Sequence, residues 1–516
     1  MKYGTVSCGH PQTAQAATEI LEAGGNAFDA MIAAGLMTYI AEPSMTSAGG
    51  GGFMNVWTEK GENILFDFFV QTPIHKRPEK ELDFHSIEID FGTTKQVFYA
   101  GLGAAATPSN LAGLFHVHKR LGSLPFTLIA EPAIRAAKNG VVITEYANYL
   151  MNLVAPTITS KPEGKELFMT NGKIKQVGER IAFPDFAKVL EVMAKDGNAR
   201  EFYEGEIAQQ IAKDCKEKGG YLTLDDLKNF TVYERKPLAI SYKDYVVSTN
   251  PTPATGGSLI AFMLKLLEPL QLAKYGFGSK QHLHALANAM RLTAASRSEI
   301  LDQKLYQDTV LAEFLDTEYL AKVRSNIPKF DDLLGSTTHI TVADKKGNVA
   351  AMTSSHGQGC GYIIPNTGIM LSNMLGESDL NPLGFHKWAE NQRITSMMSP
   401  TLVLKNNKVM AAMGSGGANR IRSAITQVIL NTIEFGQSPQ DAIQNPRMHW
   451  DRNVLDIEPN YKPENVAAIE LPNEEKRTVW ETQNMFFGGV HAIFGDENGN
   501  FIGEADKRRA GIVQVV

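Results

Sequence analysis

Cysteine is scarce in this chain: 516 residues hold three, Cys8, Cys215 and Cys360, with no C-x-x-C pair among them. An odd, scattered set of this kind excludes a disulfide framework and a structural zinc site. Long hydrophobic runs are missing too. The longest, 27–41, carries Asp29 and stops at Glu42-Pro43, short of the roughly 20 residues that cross a bilayer, so it reads as a buried helix and no membrane partner is expected. The start of the chain lacks the roughly 7–15-residue apolar core of a signal peptide, which gives a cytoplasmic expectation. There is no basic surplus: 56 acidic and 50 basic residues leave a net charge of −6, and the longest basic run is Lys507-Arg508-Arg509. That triplet reads as a solvated or paired cluster, and nucleic acid is not the expected partner. The glycine run Gly49-Gly50-Gly51-Gly52 lacks the Gly-Lys-Ser/Thr of a phosphate loop. Gly101-Leu102-Gly103-Ala104-Ala105-Ala106 fits a dinucleotide fingerprint, but Pro108 interrupts the helix that should receive the pyrophosphate.

What is present is an ordinary globular composition, 43% apolar and 21% charged, in a chain long enough for a large domain or two to three smaller ones. Helical spacing marks 12–23. Asn26 with Asp29 can cap a second helix that Pro43 ends. Strands are expected at 54–57, 63–70 and 96–100, with 76–92 as charged surface loop. Helical patterning covers 110–138 with a break at Leu124-Pro125, a capping box opens a short helix at Thr223, a strand is expected over 238–247, and a long helix over 281–301. The pairs His116/His118 and His282/His284 do not share a helix face, so they read as surface or packing residues. The last third is rich in strands, at 338–353, 400–404 and 408–413.

The stretch Gly335-Ser336-Thr337-Thr338-His339 runs into the alternating Ile340-Thr341-Val342-Ala343, and Asp344-Lys345-Lys346-Gly347-Asn348 then turns the chain into a second run to Thr353. The pattern predicts a β-hairpin with a hydroxyl pair at its head. A threonine hydroxyl is a weak nucleophile unless a base takes its proton, and a threonine at a chain's own N-terminus carries that base as its α-amine. The free amine's pKa is about 7.7–8.0, so much of it is uncharged near neutrality. In the intact chain the Thr337 hydroxyl can attack the Ser336 carbonyl, giving an ester that water opens. Threonine pairs are also common in plain strands. Downstream, Gly414-Ser415-Gly416-Gly417-Ala418-Asn419-Arg420 lies between a strand and an apolar helix, where backbone N–H groups can receive an oxyanion; a plain helix-entry turn has the same look.

These motifs have company. Ser7-x-Gly9-His10-Pro11, Glu22-Ala23-Gly24-Gly25-Asn26-Ala27, Glu42-Pro43, the glycine run before Phe53, Pro253-Ala254-Thr255-Gly256-Gly257, Thr337-Thr338-His339, Ser399-Pro400-Thr401 and Gly414-Ser415 to Arg420-Ile421 follow one another in a single order. In that order the chain resembles, over nearly its whole length, the γ-glutamyltranspeptidase family of N-terminal nucleophile hydrolases. The resemblance implies an α/β fold, a four-layer αββα sandwich. It implies a cut between Ser336 and Thr337 that yields a large segment, 1–336, and a small one, 337–516, the two fragments staying associated as one domain. By the same resemblance Thr337 is the nucleophile, Ser355 the hydroxyl that bonds its amine, and Gly417 and Ala418 the oxyanion pair. Asn373, Glu377 and Ser396 are the polar groups left for substrate.

The pocket departs from the family pattern. The arginine that grips a γ-glutamyl α-carboxylate follows an Asp-Phe pair, and here Asp67-Phe68 is followed by Phe69; the amine-binding run becomes Asn373-Met374-Leu375-Gly376-Glu377, and a serine becomes Met397. A bidentate cation is thus replaced by a ring. The expected activity is hydrolysis or transfer on γ-glutamyl, glutathione-like amides. An acylase for another acyl amide, glutaryl or cephalosporin-type, is the alternative, and an unprocessed protein that binds small molecules without catalysis is a third. The substrate is a small-molecule amide, a homo-oligomer is compatible with the chain, and neither a metal nor an organic cofactor is called for.

Overall fold

Two β-sheets lie face to face with helices on the outside of each. The computed structural model describes residues 2–90, 95–325, 337–472, 476–496 and 498–516; the segment 326–336, with Ser336 and the polar run before it, lies outside the described residues. The first sheet has seven strands in the order Tyr233–Arg235, Asn63–Phe68, Gly51–Trp57, Val349–Ser355, Thr338–Asp344, Gly4–Cys8 and Ile512–Val515. The second has six: Leu238–Tyr242, Tyr245–Thr249, Thr401–Lys405, Lys408–Gly416, Gly489–Gly495 and Phe501–Ala505. Every neighbouring pair in both sheets is antiparallel.

The helices Pro11–Glu22, Ala27–Ala41, Asn110–Leu121 and Phe126–Asn139 pack into one core with the outer face of the first sheet. Thr255–Leu267, Lys280–Ser296 and Arg420–Ile433 cover the second. A thinner layer of Ala343, Val349, Ala351, Leu402, Leu404, Val409, Ala412, Ile493 and Phe501 joins the two sheets. The result is the expected αββα sandwich. Burial of each large aliphatic or aromatic side chain contributes about 1.5–3 kcal/mol, and the helix Ala27–Ala41, buried along its whole length, is where that contribution concentrates. Its start is fixed by a complete capping box between Asn26 and Asp29, and Asp29 also accepts from the backbone of Ser123 at 3.0 Å, tying this helix to the loop between Asn110–Leu121 and Phe126–Asn139.

The hairpin forms in the expected register, Ile340 opposite Met352 and Val342 opposite Ala350. Asp344 Oδ1 accepts from the N–H groups of Lys346 at 2.8 Å and Asn348 at 3.1 Å, which sets the turn. The polar face of the strand does not meet water. His339 and Thr341 point between the sheets, where the two imidazole nitrogens bond Thr353 Oγ1 at 2.7 Å and Thr341 Oγ1 at 3.0 Å.

Three local expectations are corrected. The segment 76–92 is not all loop: His85–Asp90 pairs with Lys95–Ala100, and Phe84 before it stacks on Tyr99 with centroids 4.7 Å apart. The single strand over 238–247 is a hairpin that reverses at Lys243, whose φ is +51°. The helix over 281–301 stops at Ser296 and widens into a π-turn, Arg297–Leu301, where Arg297 Nε donates to Asp302 at 3.1 Å.

Candidate active site

Thr337 stands at the head of the fifth strand of the first sheet, 5% exposed. Thr338 pairs with Ser354, and continuing that register by one residue sets Thr337 opposite Ser355, the sequence-expected partner hydroxyl. Directly opposed residues of an antiparallel pair hold their Cβ atoms roughly 4.5–5.5 Å apart on one face. Ser355 Oγ in turn accepts from the N–H of Gly357 at 3.0 Å. Gly357, at φ +71°, is wedged against Asn373 and Glu377: a Cβ there would collide with Asn373 Oδ1 and Glu377 Oε1. Ser355, Asn373 and Glu377 are thus brought together around one glycine.

Asn373 is fixed by two bonds, accepting from Gln358 N–H at 2.9 Å and donating to the Tyr99 carbonyl at 3.1 Å. Glu377 is buried beside Asp379, and its Oε1 has no hydrogen-bond partner among the described residues. Burial, followed by the charge of Asp379, holds its carboxyl well above the usual range.

The other side of Thr337 meets the second sheet. The strand Lys408–Gly416 ends where a Cβ on Gly416 would collide with the Thr337 carbonyl oxygen. The next two residues both have left-handed backbone, Gly417 at φ +118° and Ala418 at φ +48°. Their carbonyls accept from Arg420 and Ile421 N–H groups, each at 3.0 Å, and so begin the helix Arg420–Ile433. The N–H groups of Gly417 and Ala418 take no part in those two bonds, and such a turn at a helix start suits an anionic oxygen.

Ser396 is placed differently. Its hydroxyl accepts from Met398 N–H at 3.1 Å and its carbonyl from Gly256 N–H at 3.1 Å, so it builds the turn that meets the helix Thr255–Leu267. Phe69 is 1% exposed and stacks on Phe53. The arginine nearest to it, Arg393, is engaged elsewhere: Nη1 donates to the Phe69 carbonyl, Nη2 to the Thr231 carbonyl at 2.6 Å, and Nε stands 3.3 Å from Asp67. Its plane also lies over Phe230 and Tyr233, 4.8 Å from each centroid.

Two residues around Thr337 escape sequence reading. Arg509 donates to the Thr337 carbonyl at 3.2 Å; the basic triplet that holds it is in fact buried at Arg508 and Arg509. Glu42, at the end of the helix Ala27–Ala41, accepts from Thr338 Oγ1 at 2.6 Å and Thr13 Oγ1 at 3.0 Å, and burial pushes its carboxyl up to about 6. The Glu42-Pro43 dipeptide marked a helix end but carried no hint of this bond. The three thiols are buried, those of Cys215 and Cys360 pushed up to about 12 by desolvation, which leaves them inert at neutral pH.

The two facing sheets clad in helices define the N-terminal nucleophile hydrolase fold. The same fold is seen in a cephalosporin acylase from Bacillus halodurans, which superimposes with a TM-score of 0.87 at 25% identity, over 99% of this chain and 96% of that one. The family model described as Gamma-glutamyltranspeptidase matches residues 13–516, and the chain belongs to that family. It is 28% identical to the glutathione hydrolase proenzyme of Escherichia coli, over 96% of this chain and 90% of that protein. It is 29% identical to the acylase ACY 1 proenzyme of Pseudomonas sp. strain SE83, over 98% and 92% respectively. Membership makes it a γ-glutamyltranspeptidase-like amidohydrolase, of a class that carries out hydrolysis or transfer on amides. No helix among the described residues is long and apolar enough to cross a membrane.

Proposed function

We propose that the chain cuts itself between Ser336 and Thr337 and that Thr337 then serves as an N-terminal nucleophile, the fragments 1–336 and 337–516 remaining associated. The observation that carries this reading is the setting of Thr337: the head of a central strand, opposite Ser355, its carbonyl packed on Gly416 beside the Gly417-Ala418 turn. The name proenzyme, borne by the relatives from E. coli and Pseudomonas, supports the cut.

In the proposed cycle the Thr337 α-amine takes the hydroxyl proton as Oγ1 attacks the substrate amide carbonyl. The N–H groups of Gly417 and Ala418 receive the oxyanion, the C–N bond breaks as the proton passes to the leaving amine, and water or a second amine releases the acyl group. Ser355 holds the amine, while Asn373 and Glu377 lie toward the acyl chain. Ser396 shapes the pocket wall through its turn.

For the acyl group, γ-glutamyl amides of the glutathione type are the first reading, on the strength of the glutathione hydrolase relatives. Phe69 favours the second, an acyl amide of another kind such as glutaryl or cephalosporin-type, because no cation occupies that position and Arg393 is held by Asp67 and two carbonyls. Hydrolysis of a γ-glutamyl anilide against a glutaryl anilide decides between them: turnover of the glutaryl compound alone removes the first reading. A gel with N-terminal sequencing tests the whole proposal. Two fragments, the smaller beginning at Thr337, are expected from the native chain and one intact, inactive band from Thr337→Ala; a native chain that stays intact on incubation would return the protein to the non-catalytic binding class.

A further inference from the structure

Arg509 is a buried cation whose neighbouring carboxylates are already taken. It is 5% exposed; Asp506 pairs with Arg447 at 2.7 Å and with Arg508 at 3.2 Å, and Glu458 pairs with Arg508 at 2.5 Å. Its own bonds go to carbonyls, from Nη1 to Thr337 at 3.2 Å and from Nη2 to Met485 at 3.4 Å. Its stem packs on Gly489, where a Cβ would come 2.5 Å from Cδ, and its guanidinium underlies the Gly416-Gly417 turn, where Cβ atoms would come 2.7 Å from Nη1 and 3.1 Å from Nη2. One side chain therefore touches both the residue proposed as nucleophile and the turn proposed to hold the oxyanion.

We infer that Arg509 is a positioning residue for the proposed reaction: it ties the strand head at Thr337 to the Gly416-Gly417 turn, and its charge keeps the α-amine released by the cut in the unprotonated form that accepts the hydroxyl proton. The inference rests on the reading of Thr337 as an N-terminal nucleophile. A cation disfavours a second cation beside it, so the guanidinium lowers the pKa of an amine one residue's backbone away.

The other groups around this point leave that effect standing. His339, next but one along the strand, and His491, on the adjoining strand of the second sheet, are kept neutral by burial, the latter pushed down to about 4. Tyr146, from the helix Glu145–Leu153, is pushed up to about 12 by burial, and Asp506 is neutralised by Arg447 and Arg508. Arg420, at the start of the next helix, lies over Phe486 at 4.2 Å. Glu42, bonded to Thr338, is a carboxylate on this side and pulls the amine's pKa upward, against Arg509.

The test uses the mature two-fragment enzyme, the pH–rate profile of kcat on whichever anilide it hydrolyses, and the variants Arg509→Met and Arg509→Lys. The acid limb, which reports loss of the amine proton, is expected to move up by about 1 pH unit in Arg509→Met and to stay near the native position in Arg509→Lys, a split that a purely structural role would not give. An unmoved limb in Arg509→Met, or an equal shift in Arg509→Lys, overturns the inference. If Arg509→Met does not fold, titration of the Thr337 amine in native enzyme labelled with 15N-threonine replaces it. A pKa below about 7.7 is expected and one at or above that overturns the role. Failure of the underlying reading shows separately, as a small fragment that does not begin at Thr337 or as turnover surviving Thr337→Ala.

Discussion

The ring of Phe69 lies on that of Phe53, centroids 5.3 Å apart and planes 22° from parallel. Phe53 belongs to the strand paired with Thr353, so the stack reaches from the end of the strand Asn63–Phe68 into the neighbouring strands of the sheet that carries Thr337. Truncating Phe69 to Ala is expected to cost about 3–5 kcal/mol. A double-mutant cycle with Phe53→Leu should give a coupling of about 0.5–1.5 kcal/mol. Urea midpoints of the four proteins check both numbers.

Ser355→Ala is expected to lower kcat about 3–10-fold, the loss of one hydrogen bond of about 0.5–1.5 kcal/mol, while Ser355→Thr keeps the hydroxyl and most of the rate. Steady-state kinetics on the mature enzyme would expose a misassigned Ser355 if the alanine variant matched the native rate.

The turn at Gly416, Gly417 and Ala418 gives opposite expectations for neighbouring substitutions. Ala418 sits at φ +48°, where a Cβ is unfavourable, so Ala418→Gly should raise stability by about 0.5–1 kcal/mol and retain activity, because the N–H remains. Gly416→Ala would drive a methyl into the Thr337 carbonyl. A displacement of even 1 Å there should cost about 100-fold in kcat. Thermal melts and rate measurements on the two variants separate these outcomes.

Glu42 gives a stability profile with a definite sign. Its carboxyl is raised from the usual 4.5 to about 6 by burial, so the fold favours the neutral form. Stability from this group is full below the unfolded value and declines as pH rises through about 6, by about 2 kcal/mol in total. Glu42→Gln, which keeps partners for the Thr13 and Thr338 hydroxyls, should therefore be the more stable protein near pH 8 and equal to the native one near pH 4. Denaturant unfolding at the two pH values measures this, and a gain that is the same at both would refute it.

What could be read from the chain was what short-range chemistry encodes. The hairpin was legible because Asp344 and Asn348 settle the turn within five residues, and the capping boxes at Asn26 and Thr223 were legible for the same reason. The arrangement of Thr337 against Ser355 follows from that hairpin register. Arg509 and Glu42 were not legible, since their bonds to Thr337 and Thr338 span 172 and 296 positions and a basic triplet looks alike whether solvated or buried. Ser396 shows the converse: it fell within a recognised motif, and the motif gave no sign that its hydroxyl oxygen also accepts from Met398 N–H in a turn.

The order of strands in the first sheet has a consequence for a chain nicked before Thr337. Gly4–Cys8, from the front of the molecule, is held between Thr338–Asp344 and Ile512–Val515, and Gly51–Trp57 runs against Val349–Ser355. The two pieces are braided, and neither can leave without tearing the ladder open. Once melted, such a nicked molecule must find its other half by diffusion, so its recovery becomes dependent on concentration where that of the uncut chain is not. Its endurance then belongs to the height of the barrier to unfolding, and opening the backbone at one bond would turn refolding from an event within one chain into an encounter between two.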